Sequence, residues 1–153
     1  MKTFKQFILE ISHGDTVYRG HEAGHEDKHI EWHSSHKDLA NEYATGRKNS
    51  FIGISKAKSK NSINLGHDRL SLKPGEIIHH AIEQHDTKKF TDEHRDAADK
   101  FREHFGSKSR NVTEYWNSEE NKKHTHTFLK KLGYDSIKMR EGKHERETIG
   151  VLK

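Results

Sequence analysis

The chain has 153 residues, a length that fits one domain, with 29% hydrophobic and 34% charged residues and a mean hydropathy of -1.16. Its formal net charge of +4 comes from 28 Lys and Arg interleaved with 24 Asp and Glu, so the pI of about 9.2 permits anionic ligands or nucleic acid without marking a concentrated basic tract. There is no cysteine, which excludes disulfides, thiolate metal sites and cysteine nucleophiles and suits a reducing cytoplasm; no apolar run approaches a membrane span.

The start, MKTFKQFILEIS, lacks the long apolar stretch of a secretory signal. Phe4, Phe7, Ile8 and Ile11 recur at helical spacing, so Thr3–Ser12 is predicted as a helix, with Thr3 as cap and Gly14 as stop. Thr16–Arg19 reads as a short strand broken by Gly20, and His21–His29 as a polar loop. Ile30–His33 reads as a second strand. Ser35–Ala44 follows as a helix, with Ser35 and Asp38 resembling a capping box and Leu39, Ala40 and Tyr43 on its apolar face. Phe51–Ser55 is a predicted strand, followed by a Lys/Ser/Asn-rich loop. Pro74–Gln84 is predicted as a helix with Ile77, Ile78, Ala81 and Ile82 inward. Thr91–Phe105 is a longer helix, capped by Thr91 and stopped by Gly106, with Ala97, Ala98, Phe101 and Phe105 inward. Ser118–Leu132 is another, stopped by Gly133. Tyr134–Met139 and Glu147–Leu152 read as strands joined by the charged loop Arg140–Arg146. Helices and strands in this order define an α+β class, and no internal repeat or linker interrupts it.

Three segments carry chemistry: VYRG at 17–20, EWHSSHKDLANEYA at 31–44 and ERETIGVL at 145–152. In that order they resemble the Arg-Ser-Glu class of mono-ADP-ribosyltransferases, which includes bacterial toxins and phage-encoded enzymes. NSINLG at 61–66 and KKLGYDSIKMREG at 130–142 resemble the segments that precede the last catalytic strand in small phage members. The resemblance implies a small split β-sheet core flanked by helices, with NAD+ as co-substrate and no metal. It implies a host protein as acceptor and, with the phage-like N-terminus, action in a bacterial cytoplasm or packaging in a virion. Arg19, at the end of the first strand, would bind the diphosphate, for which a permanently charged, forked guanidinium is suited. Gly20 would let a ligand approach closely. Ser34, at the strand-to-helix junction, would hydrogen-bond Glu147 or the nicotinamide ribose. The family triplet is Ser-Thr-Ser where this chain has His33-Ser34-Ser35, so Ser34 and Ser35 both remain candidates. Trp32 and Tyr43 would stack on nicotinamide or serve as packing residues.

Glu147 is the candidate catalytic carboxylate. Breaking the nicotinamide–ribose bond leaves an oxocarbenium-like sugar, which a neighbouring negative charge stabilises. Glu145 stands two residues earlier, a spacing that in an extended strand puts both carboxylates on one face. In the family that first glutamate accompanies arginine as the acceptor.

The 15 histidines form the rival signal. His21, His25, His29 and His33 recur every four residues, but Gly24 and the dense charge disfavour a helix there, and His124–His126 reads as isolated. Two other functions fit the same sequence: an NAD+ glycohydrolase, with water as acceptor, and a basic nucleic-acid-binding phage protein.

Overall fold

The structure is a computed structural model that describes residues 11–22, 27–45, 50–85 and 90–153. Six strands form one mixed sheet: β1 (Thr16–Glu22), β2 (Ile30–Ser34), β3 (Ser50–Lys56), β4 (Ser62–His67), β7 (Ser136–Glu141) and β8 (Arg146–Leu152), in the order β3-β1-β2-β8-β7-β4. Every pairing is antiparallel except β4 with β7. Two short strands, β5 (Ser71–Leu72) and β6 (Arg110–Asn111), form a separate antiparallel pair. The helices are α1 (Lys37–Ala44), α2 (Pro74–Gln84), α3 (Asp92–Phe105) and α4 (Glu119–Lys131), with a 3-10 turn at Val112–Trp116. This is an α+β architecture. Parallel pairing of β4 with β7 requires a long crossover, and α2, α3 and α4 supply it.

Strand alternation sorts the sheet into two faces. Ile30, Ile63, Leu65, Ile137, Met139 and Leu152 point to the helix-covered face, where they join Ile77, Phe101, Phe128 and Leu129 in the main core. Phe101, Phe105, Tyr115 and Phe128 meet there at centroid distances of 4.6–5.7 Å. The buried tyrosines keep their polar ends satisfied: Tyr115 donates to Leu72 O at 2.7 Å and Tyr134 to Ala81 O at 2.5 Å. The opposite face carries a much smaller cluster of Ile11, Val17, Ala57 and Ile149.

Local chemistry explains most boundaries. Pro74 opens α2, and the Glu76 carboxylate accepts from Lys73 N at 3.0 Å. Thr91 Oγ1 accepts from His94 N at 3.2 Å to cap α3, and Gly106, at φ 77°, ends it. Ser118 caps α4 through Asn121 N. Several expectations change. The helix expected at Thr3–Ser12 lies almost wholly outside the described residues, as do 23–26 of the expected 21–29 loop. β1 continues through Gly20 to Glu22 because β3 pairs with it along its full length. The loop expected after Ser55 contains β4, whose apolar Ile63 and Leu65 alternate in a run too short to stand out. Ile82 is 42% exposed, on the outer side of α2. Ser35 is not the cap of α1; His36 holds that position without a side-chain cap bond.

Candidate active site

β1 and β2 touch through a single bridge, Tyr18 with Ser34, and diverge on either side of it. A cleft of about 660 Å³ opens at this divergence. Its walls include Arg19 and Gly20 from β1, Trp32, His33 and Ser34 from β2, Ala40 and Tyr43 from α1, Glu141 from β7 and Thr148 from β8. Trp116 and Lys122 close the side toward the 3-10 turn and α4. The volume lies in the range of small-molecule and cofactor sites.

Of the residues singled out in the sequence, the cleft gathers Arg19, Gly20, Trp32, Ser34 and Tyr43. Arg19 pairs with Asp27, which also lies 3.8 Å from Lys122 Nζ, so two cations converge on one carboxylate at this end. Trp32 packs against Trp116 at 4.9 Å between ring centroids. Ser34 Oγ accepts from His36 N at 3.0 Å and donates to the backbone carbonyl of Glu147 at 3.1 Å. Its hydroxyl therefore turns the chain from β2 into α1 and ties that turn to β8. Gly20 is close-packed against α1 rather than left open for a ligand: a Cβ there would meet Ala40 O at 2.5 Å.

Glu147, Glu145 and Ser35 do not border the cleft. Glu147 alternates with Thr148 on β8, so its side chain lies on the opposite face, buried, with Oε1 accepting from Ile11 N at 2.7 Å. Glu145 sits in the turn before β8 with φ 49°, and its N–H bonds Gly142 O at 3.1 Å. That left-handed residue breaks the alternation, so the two-residue spacing does not act as it would in a continuous strand.

Three carboxylates line the cleft, Asp27, Asp68 and Glu141, and the one held between α1 and β8 is Glu141, which the charge pattern alone assigns to the loop at 140–146. Tyr43 Oη donates to its Oε2 at 2.5 Å, and Thr148 Oγ1 donates to its Oε1 at 3.3 Å. Burial pushes the Glu141 carboxyl above the ordinary range; the Tyr43 bond opposes this and the nearby Asp68 charge adds to it. Tyr43, expected on the apolar face of α1, is instead 49% exposed, yet desolvation of its hydroxyl, with the bond to Glu141, raises it as well. The signal was period two: Ile137, Met139 and Glu141 share one face of β7, and the first two are core residues.

His33 marks the far lip. Its Nε2 lies 2.9 Å from Glu31 Oε1 and its Nδ1 3.5 Å from Ser55 Oγ. Burial works to raise Glu31, but Lys153, Arg19 and His33 together hold it below the usual carboxylate range.

Compared with known proteins, the chain matches no family model, and neither a curated protein nor a solved structure matches it significantly. Among the described residues, no helix is long and apolar enough to cross a membrane.

Proposed function

We propose that the chain is an NAD+-dependent mono-ADP-ribosyltransferase whose co-substrate binds in the cleft between β1 and β2. One observation carries this reading. Arg19, Gly20, Trp32, Ser34 and Tyr43, chosen from two separate sequence segments, border one cleft beside a desolvated carboxylate. Arg19 and Lys122 supply positive charge for the diphosphate. Trp32 and Tyr43 offer flat apolar surfaces for nicotinamide.

In the reaction the bond from nicotinamide nitrogen to ribose C1′ breaks, and its electron pair leaves with neutral nicotinamide. The ribose then carries an oxocarbenium-like charge. A guanidine nitrogen of a protein acceptor attacks C1′ with its lone pair, forming the N–C1′ bond, and the proton it sheds passes to solvent water. Glu141 is the carboxylate positioned to face that charge from the cleft, with Tyr43 and Thr148 fixing its orientation. Glu147, the choice implied by the family resemblance, instead holds Ile11 on the other face.

The test follows nicotinamide release and protein labelling from labelled NAD+ and a bacterial lysate. Release with labelling is expected; release without labelling makes the chain an NAD+ glycohydrolase, and neither activity overturns the reading. Glu141→Gln should cut release by roughly a hundredfold or more, since transition-state charge stabilisation is worth several kcal/mol. Glu147→Gln should leave most of it. The reverse pattern would return the catalytic charge to Glu147 and move the reacting sugar to the opposite face.

A further inference from the structure

The second histidine-rich region is not isolated in three dimensions. α3 and α4 pack side by side, and His104 near the end of α3 meets His124 in the middle of α4 with ring centroids 3.7 Å apart and planes within 12°. Glu120 lies one turn before His124 on the same helix. One donor atom each from His104, Glu120 and His124 falls within a 4.8 Å sphere of mutual separation. His104 and His124 border a groove between the two helices that shares no lining residue with the β1–β2 cleft.

We propose that His104, Glu120 and His124 form a divalent transition-metal site, best suited to Zn2+, that clips α3 to α4. Two imidazoles and a carboxylate are a donor set zinc accepts, and a water would complete four-coordination. Zinc–ligand bonds of about 2.0–2.2 Å put tetrahedral donors roughly 3.3 Å apart, so the three side chains must draw in by an ångström or so. Rotation of partly exposed side chains supplies that movement, the stacked rings turning so that both lone pairs meet one ion.

A neighbouring amide orients the first ligand. His104 Nε2 lies 2.8 Å from Asn121 Oδ1. The Asn121 amide is itself fixed, since its Nδ2 donates to Glu114 O at 2.9 Å and to Asn117 Oδ1 at 3.1 Å. Its oxygen must therefore accept, which makes His104 Nε2 the protonated nitrogen and leaves Nδ1 with the lone pair. An outer carbonyl that fixes the tautomer of a ligating imidazole is the usual support of a histidine–metal bond. The i, i+4 spacing of Glu120 and His124 brings the second and third donors onto one helix face.

The experiment uses the full chain without an affinity tag, titrated with ZnSO4 by calorimetry and with CoCl2 by visible absorption. One equivalent of Zn2+ should bind, and Co2+ should show the intense bands of a tetrahedral site that Zn2+ abolishes. Saturating Zn2+ should raise Tm by roughly 5–10 °C at a hundredfold excess over Kd. His104→Gln, His124→Gln and Glu120→Gln should each weaken binding by about tenfold or more. Glu120 is exposed, so that variant keeps the proposal testable if a histidine change perturbs the fold. His79→Gln, at an exposed His79–Glu83 pair on α2, should change nothing. No binding, or binding lost in His79→Gln and kept in Glu120→Gln, overturns the site.

Discussion

A Cβ placed on Gly20 would lie 2.5 Å from Ala40 O and 3.0 Å from Ala44 N, both backbone atoms of α1. Neither can swing aside as a side-chain tip would, so Gly20→Ala should push α1 off β1 and cost about 1–3 kcal/mol. Urea denaturation reads this directly, and an unchanged midpoint would mean that α1 yields freely. Glu141 gives a prediction of opposite sign. Its carboxyl is raised in the folded state, so the folded protein binds its proton more tightly than the unfolded chain does. The stabilising contribution is full below the unfolded pKa of about 4.3 and is lost as pH rises through the folded value. At pH 7 the partly buried charge is a cost, and Glu141→Gln should raise Tm there. The gain should fade as pH falls to about 4. A variant less stable than the parent at pH 7 would show that the Tyr43 and Thr148 bonds to the anion outweigh its burial. Residues also mark where the sequence was legible. Arg19 and Tyr43 stand beside recognisable neighbours, VYRG and NEYA. Asp27 joins the cleft from the polar segment between β1 and β2, and Lys122 from α4, remote in the chain; nothing local announces either.

At the scale of elements, legibility followed local chemistry. α2, α3 and α4 carry their own punctuation in Pro74, Thr91, Gly106, Ser118 and Gly133, and their boundaries fall within a residue or so of those signals. β4 carries none, and its partner lies some seventy residues away, as in Ile63 with Ile137. Ser34 and Ser35 show how neighbouring residues compete. A capping serine was expected at 35, but it is Ser34 Oγ that bonds both His36 N and Glu147 O, a choice dependent on β8. The free edge of β4 is partly closed by a side chain. Gln84 at the end of α2 accepts from Asn64 N at 2.7 Å and donates to Asn64 O at 2.9 Å, the two bonds a neighbouring strand would make. Gln84→Ala should cost about 1–2 kcal/mol, since two exposed hydrogen bonds are lost to water. A urea midpoint equal to that of the parent would show that water replaces the amide at no cost.

Across the whole molecule, the sheet is unevenly fastened. β2, β8, β7 and β4 share the large core with α2, α3 and α4, whereas β1, β3 and α1 lie on the far side of the single Tyr18–Ser34 bridge. That outer part is held by the small Ile11, Val17, Ala57 and Ile149 cluster and by close packing of Gly20 under α1. Arg146 adds an ionic tie, with Nη1 2.9 Å from Asp38 and 3.0 Å from Glu42, both on α1. Less buried apolar surface on one side of a cleft means a lower free energy of local opening there. Native-state hydrogen exchange should therefore show the amides of β1, β3 and α1 exchanging through a partial opening, while Ile137, Met139 and Ile149 exchange only on global unfolding. Arg146→Met should deepen the difference by unfastening α1 from β8. Addition of NAD+ gives the arrangement its functional test. A ligand held by Arg19 on β1 and Tyr43 on α1 and, across the divergence, by Trp32 on β2 spans both parts, so it should slow exchange in β1 and α1 more than in β7. Arg19→Ala should remove most of that protection, with a loss of affinity on the order of 1.5–3 kcal/mol for a charge-assisted contact. Equal protection throughout the apo protein would show that the two parts unfold as one unit. NAD+ protection confined to β7 and β8 would place the ligand outside the cleft.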